Sequence, residues 1–158
     1  MPTNKPVQRG AWGFEVGQHL YVPPGHPELS RDVASDPSVR PEDLFFRVDW
    51  QTLRRLPLSG AIVFNFKAYF YPVAELRDEP YVPSLALKVV SDSKGNLLQY
   101  KKTAPLAHML HPLLRAFERH QMETGLMEAD WEHRTLEENP FFPGWREKWT
   151  RQQAELGK

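Results

Sequence analysis

LFFRVDWQTLRRLPLSGAIVFNFKAYFY, residues 44–71, is the stretch that decides how this chain folds. Its first ten residues alternate, with Leu44, Phe46, Val48, Trp50 and Thr52 on one face and Phe45, Arg47, Asp49, Gln51 and Leu53 on the other. That period of 2 is the mark of a strand. The pattern resumes downstream, where Ile62, Phe64, Phe66, Ala68 and Phe70 oppose Val63, Asn65, Lys67, Tyr69 and Tyr71. Pro57-Leu58-Ser59-Gly60 between the runs has the residue types of a tight reversal, proline presetting φ and glycine tolerating a positive one. A long antiparallel hairpin over about 44–71 is predicted. Its first strand offers Trp50 to the apolar face, and hence to the core.

Working outward, Trp12–Val16 reads as a short strand. Ser84–Val90 predicts a short helix closed near Lys94-Gly95-Asn96, and Leu106 to about Glu123 carries Leu106, Leu110, Leu113, Leu114 and Phe117 at helical spacing. Pro112 either kinks that helix or starts it. In the tail, Phe141-Phe142-Pro143-Gly144-Trp145 and then Trp149 set two tryptophans four apart on a last short helix, whose aromatic face is expected to dock on the body. Strands early and helices late give an α+β class. A length of 158 residues suits one domain spanning 1–158.

Composition excludes several function classes. Lys+Arg and Asp+Glu both number 20, and neither half carries an excess, so the field that binds nucleic acid or an anionic membrane is missing. With no cysteine there is no disulfide, thiolate zinc site, iron–sulfur ligation or cysteine nucleophile in this polypeptide. No stretch approaches 18 apolar residues and the first ten lack an apolar h-region, which predicts neither membrane span nor signal peptide and makes the cytoplasm the expected location. Glycine-rich phosphate loops, G-x-S-x-G and H-E-x-x-H are all missing.

Six histidines remain as candidate ligands: His19, His26, His108, His111, His120 and His133. His108 and His111 have the i, i+3 spacing of a metal pair, but the helical wheel sets both off the apolar stripe, and no third ligand is suggested. Solvated side chains are the simpler reading. His120 sits at the edge of the stripe, as a satisfied core histidine or a haem ligand. Arg47, Arg54 and Arg55 offer bidentate forks for a carboxylate or propionate, or else pair with Asp49 and Glu75 at an ordinary strand end. Tyr69 and Tyr71 share a face with Asn65 and Lys67, as a wet edge or a pocket wall.

The run from Phe46 to Phe64, centred on Gln51-Thr52-Leu53-Arg54-Arg55-Leu56-Pro57 with Ser59-Gly60-Ala61 behind it, resembles the signature of the haem-dependent oxidative N-demethylase family. This is the alpha-subunit-like, or HRQ, family. Arg9 and Trp12, the stretch Lys67–Pro72, Tyr100-Lys101 and, as in fungal-type members, Asn139-Pro140-Phe141-Phe142-Pro143-Gly144-Trp145 extend the resemblance. It covers the C-terminal portion of the longer members.

The resemblance implies a PAS-like antiparallel sheet packed with C-terminal helices. It also implies a haem b oxidoreductase of monooxygenase type, oxidising a small secondary amine such as dimethylamine with O₂ and taking electrons from a separate flavin and iron–sulfur reductase. Arg47 and Gln51 are then the catalytic candidates, and Arg54 and Arg55 the candidates for haem propionates. Trp50 stands where the family usually has a basic residue and joins the cofactor-binding set. No residue is assigned to the iron. The alternative is a non-catalytic or truncated relative, a haem-binding or interaction module without activity, because the upstream part of the family domain is expected to be missing and Trp cannot supply a cation.

Overall fold

The computed structural model describes residues 2–26 and 36–133, together with 150, 151 and 154. Three strands, β1 (Val7–Val16), β2 (Leu44–Arg55) and β3 (Ile62–Pro72), form one antiparallel sheet in the order β1-β2-β3. Among the described residues up to 133, three helices follow: α1 (Val82–Asp92), α2 (Gly95–Tyr100) and α3 (Ala107–Glu123), with 3-10 turns at Pro41–Asp43, Val73–Asp78 and Ala104–Leu106. This is the α+β arrangement with its long hairpin. The Trp145/Trp149 helix and the Asn139–Trp145 match lie outside the described residues.

The hairpin closes as its turn residues require. Leu56 N–H donates to Ala61 O at 2.8 Å, Gly60 N–H to Leu56 O at 3.0 Å, and Gly60 takes φ +69°, a conformation glycine adopts without a Cβ penalty. β1 is longer than the sequence suggests. Its first half holds Arg9 and Gly10, weak strand formers, but the register Val7↔Leu53 through Val16↔Leu44 gives each residue a partner.

The register sorts the sheet into two faces. Trp12, Phe14 and Val16 share one with Leu44 and Phe46, and there the helices pack. Phe14, Leu44, Val73, Leu76, Val90, Leu110 and Leu114 are buried together, with Trp12, Phe46, Leu113 and Phe117 against them. Trp12, Phe14 and Phe46 meet ring to ring at centroid distances of 5.3–6.0 Å.

This cover stops short of the hairpin tip, which corrects one expectation. Trp50, predicted to lie in the core, is 52% exposed, while its neighbour Gln51 is 9% exposed. Alternation assigned Trp50 to the right face; the helical layer packs over the Leu44 end of that face and leaves the Trp50 end bare.

The helices are seated by side chains as much as by apolar contact. α1 begins after Tyr81, a non-glycine residue at φ +68°. Three contacts hold that conformation: Tyr81 N–H donates to Gln121 Oε1 at 3.0 Å, its hydroxyl donates to Glu128 Oε2 at 2.8 Å, and its ring lies 4.8 Å from that of Trp131. α1 runs from Val82 to Asp92 and stops before Gly95, which opens α2 instead of closing the first helix as expected. α3 passes through Pro112, which therefore sits inside the helix and does not begin it. At its end Leu126 N–H reaches Gln121 O at 2.8 Å while Gly125 takes φ +73°, a glycine-terminated helix end.

Candidate functional site

A concavity of about 670 Å³ lies at the outer edge of β1, the edge away from β2. Its walls are β1 from Ala11 to Val16, the following segment His19–Val22, Arg47 and Asp49 of β2, and the α2 end at Tyr100, Lys101 and Lys102 with Pro105 and Leu106. The volume falls within the few hundred to ~1,000 Å³ typical of small-molecule and cofactor sites.

Local sequence builds each wall. Gly17 at φ +73° turns the chain out of β1, and its N–H donates to Asp43 O at 2.9 Å. A Cβ there would meet the His19 ring at 3.4 Å, so glycine lets the imidazole lie back against the turn. On the opposite wall α2 ends with Thr103 N–H on Leu98 O and Lys102 N–H on Gln99 O, the paired bonds of a Schellman end, with Lys102 at φ +53° where glycine is usual. That end presents Tyr100, Lys101 and Lys102. Lys101 Nζ donates to Trp12 O at 2.6 Å and lies 5.8 Å from the Trp12 ring centroid, covering the unpaired margin of β1. Gly13 leaves the floor open, since a Cβ at that position meets nothing within 4 Å.

Arg47 is the best-held charge at the site. Its Nε donates to Asp49 Oδ1 at 2.9 Å, its Nη1 reaches Glu15 and His19 O at 3.4 Å, and its guanidinium carbon lies 5.4 Å from the Phe70 ring centroid. Burial works against this charge, but the bonds and fields of Asp49 and Glu15 outweigh it and raise the guanidinium pKa above its usual value. Counting the wall's fixed charges, Arg47, Lys101 and Lys102 against Glu15 and Asp49, leaves one net positive charge.

The signature residues are not gathered at one point. Arg47 lines this cavity; Gln51, Arg54, Arg55 and Trp50 do not. Gln51 Oε1 accepts from Arg9 Nε at 2.6 Å across the β1–β2 pair, joining two of the sequence matches, and Arg9 in turn lies over the Phe64 ring. Arg55 Nε donates to Gly60 O at 3.3 Å and braces the hairpin turn. Arg54 and Trp50 fall on the helix-bearing face, opposite to Arg47, Gln51 and Arg55. Adjacent strand residues point to opposite sides of a sheet, so Arg54 and Arg55 cannot form one fork on one carboxylate.

The histidines divide in a way the helical wheel did not foresee. His108 Nδ1 bonds Pro105 O at 3.0 Å, and His120 lies 3.8 Å from Asp78. His111, expected to be solvated, has a buried Nε2 without a hydrogen-bond partner among the described residues. Among those residues no group of three His, Asp or Glu side chains converges as a metal site, and no helix is long and apolar enough to cross a membrane. His19, Tyr21 and Tyr100 bring to the cavity side chains of classes that can ligate iron; His19 stood among the six candidate histidines, and neither tyrosine was singled out as a ligand from sequence. Tyr100-Lys101 within the resemblance was the available signal.

A second concavity of about 340 Å³ contains Ser84, Glu118 and His133. Ser84 Oγ–H donates to Glu118 at 2.6 Å, which leaves the hydroxyl to accept from His133 Nε2 at 2.8 Å. In a nucleophilic triad the acid orients the histidine and the histidine takes the serine proton. Here the carboxylate holds the serine itself, and Ser84 is 2% exposed, so the trio ties α1, α3 and the segment after α3 together.

A family model described as haem-dependent oxidative N-demethylase, alpha subunit-like, matches residues 1–111, which contain every wall of the larger cavity. No curated protein matches the chain.

Proposed function

The chain belongs to the haem-dependent oxidative N-demethylase, alpha subunit-like family, and on that premise we propose that it binds haem b in the β1-edge cavity and oxidises a small secondary amine there. The observation that carries this reading is the cavity itself: it lies wholly inside the matched segment and brings histidine, tyrosine and cationic side chains to one apolar-walled space. The residues present suit the group. His19, Tyr21 and Tyr100 are side chains of the classes that ligate haem iron, Leu20, Val22 and Leu106 suit a macrocycle, and Lys101 and Lys102 suit its carboxylates. When bound, haem supplies the O₂-dependent redox chemistry, with electrons from a separate flavin and iron–sulfur reductase, since a cysteine-free chain has no thiolate to ligate an iron–sulfur cluster.

The chain's own residues bind and orient the substrate. A secondary amine is an ammonium at neutral pH, and Glu15 offers it a carboxylate whose contacts to Arg47, at 3.4 Å, are long enough to leave acceptor capacity. Arg47 fixes Asp49 and spans Glu15 to the His19 carbonyl, which sets the cavity floor against its loop. Arg54, Arg55 and Trp50 act outside this cavity, Arg55 through the hairpin turn.

Amine-dependent oxygen uptake by hemin-loaded chain with a surrogate reductant tests the reading. Uptake that rises with dimethylamine and falls at least about tenfold in Glu15→Gln, mainly through KM, is expected. Uptake indifferent to amine contradicts it. The second reading, an interaction module without activity, is favoured by the exposed apolar side chains of β3 and of Trp50; amine-dependent uptake by the parent chain removes it.

A further inference from the structure

Among the described residues β3 is one margin of the sheet, and across its length it carries a single charge, Lys67. Ile62, Val63, Phe64, Phe66, Tyr69 and Tyr71 are each 42–59% exposed, so apolar surface stands on both faces of this margin. Long, sparsely charged sheet margins are templates for pairing with another strand.

The hairpin fixes which backbone groups point outward. Leu56 N–H bonds Ala61 O, and in an antiparallel ladder bonded pairs recur every second residue. Val63, Asn65, Lys67, Tyr69 and Tyr71 therefore direct their N–H and C=O groups at β2, while Ile62, Phe64, Phe66, Ala68 and Phe70 direct theirs away from it. Pro72, next in the outward series, has no N–H and ends the margin.

We propose that this margin pairs with the same margin of a second copy of the chain, antiparallel about a two-fold axis through Phe66, joining two sheets into one of twice the strand number. The occupant is a second copy because the margin is complementary to itself. About that axis Phe66 meets its own mate, Phe64 meets Ala68 of the partner subunit, and Ile62 meets Phe70 of the partner subunit. On the other face Val63 meets Tyr69 of the partner subunit, and Lys67 meets Asn65 of the partner subunit. Every pair is apolar or a charge against an amide, the pairings that stabilise a sheet.

The axis position is selective. One residue further along, Lys67 faces its own mate and Pro72 enters the ladder; one residue back shortens it. Half-residue positions oppose outward groups with inward ones. An isologous interface repeats each off-axis pair twice, and a formal net charge of zero sets no long-range repulsion against association. The same axis puts the helix-covered end of one sheet beside the bare Trp50 end of its partner.

Sedimentation velocity of the full chain over a concentration series tests this. A reversible species of twice the 18.4 kDa chain mass is expected. Phe66→Lys sets two ammoniums on the axis and is expected to weaken the dimer at least about tenfold, with the circular dichroism of the parent retained because Phe66 is outside the core. Asn65, exposed and remote from the core, tests the register independently of folding. Asn65→Glu sets a carboxylate opposite each Lys67 and tightens the dimer roughly 2- to 30-fold, while Asn65→Lys loosens it by a similar factor. A monomer throughout the series, or a dimer indifferent to Phe66→Lys, overturns the interface. A dimer that the two Asn65 variants shift in the same direction overturns the register.

Discussion

Replacing Gln121 by leucine is expected to cost about 3–5 kcal/mol, a large part of the 5–15 kcal/mol that holds an ordinary domain together. Gln121 is fully buried, on the last turn of α3. Its amide nitrogen donates to the carbonyls of Arg77 and Glu79 at 2.8 Å and lies 3.4 Å from that of Leu76. Its amide oxygen accepts from Tyr81 N–H at 3.0 Å.

One side chain thus satisfies the turn that carries β3 into α1 and supports the left-handed Tyr81. Leucine has the volume and none of the donors, so several buried backbone groups lose partners at about 1–3 kcal/mol each, and the Tyr81 backbone loses a restraint. Urea unfolding of parent and variant measures the difference. A loss below about 1 kcal/mol contradicts the role given to this amide.

The second large effect separates binding from folding. Gly13→Phe is expected to keep the fold and lower hemin affinity at least about 100-fold, or about 2.7 kcal/mol. Gly13 sits in β1 opposite Arg47 and lines the cavity, and a Cβ there meets nothing within 4 Å, so a side chain built on it starts in open space. An aromatic residue also suits a strand better than glycine does, which makes unchanged or higher thermal stability the companion expectation. Retained hemin binding with the fold intact moves the cofactor out of this cavity.

The hairpin was legible because two independent signals agreed: alternation over both strands, and Pro57 and Gly60 between them. Helix α3 was legible for a similar reason, its apolar spacing surviving Pro112. The first half of β1 was not, since Arg9 and Gly10 are strand residues only by virtue of the β2 residues beside them. Gly95 misled in the other direction: α1 is closed by Ser93, whose Oγ donates to Val89 O, and glycine then opens the next turn.

The cavity was the least legible part. Alternation told which residues share a face with Arg47 but not which half of a face the helices reach, and Trp50 lies beyond that limit. His19 and Tyr100 line the same cavity because a positive-φ glycine turns one segment and a positive-φ lysine ends another. Neither event leaves a periodic trace. The signature from Phe46 to Phe64 identified the family, yet of its candidate site residues Arg47 alone reaches the cavity. Gln51 and Arg55 hold β1 and the hairpin turn, in keeping with a motif that specifies the sheet on which the cavity is built.

Whether the β1-edge cavity holds haem is decided by titrating hemin into the purified full chain and following the Soret band. A saturable shift at one hemin per chain is expected, lost in Gly13→Phe and altered in position by replacement of His19, Tyr21 or Tyr100, whichever ligates the iron. A linear, non-saturating absorbance, or a saturable shift that Gly13→Phe and all three replacements leave unchanged, contradicts haem binding in this cavity.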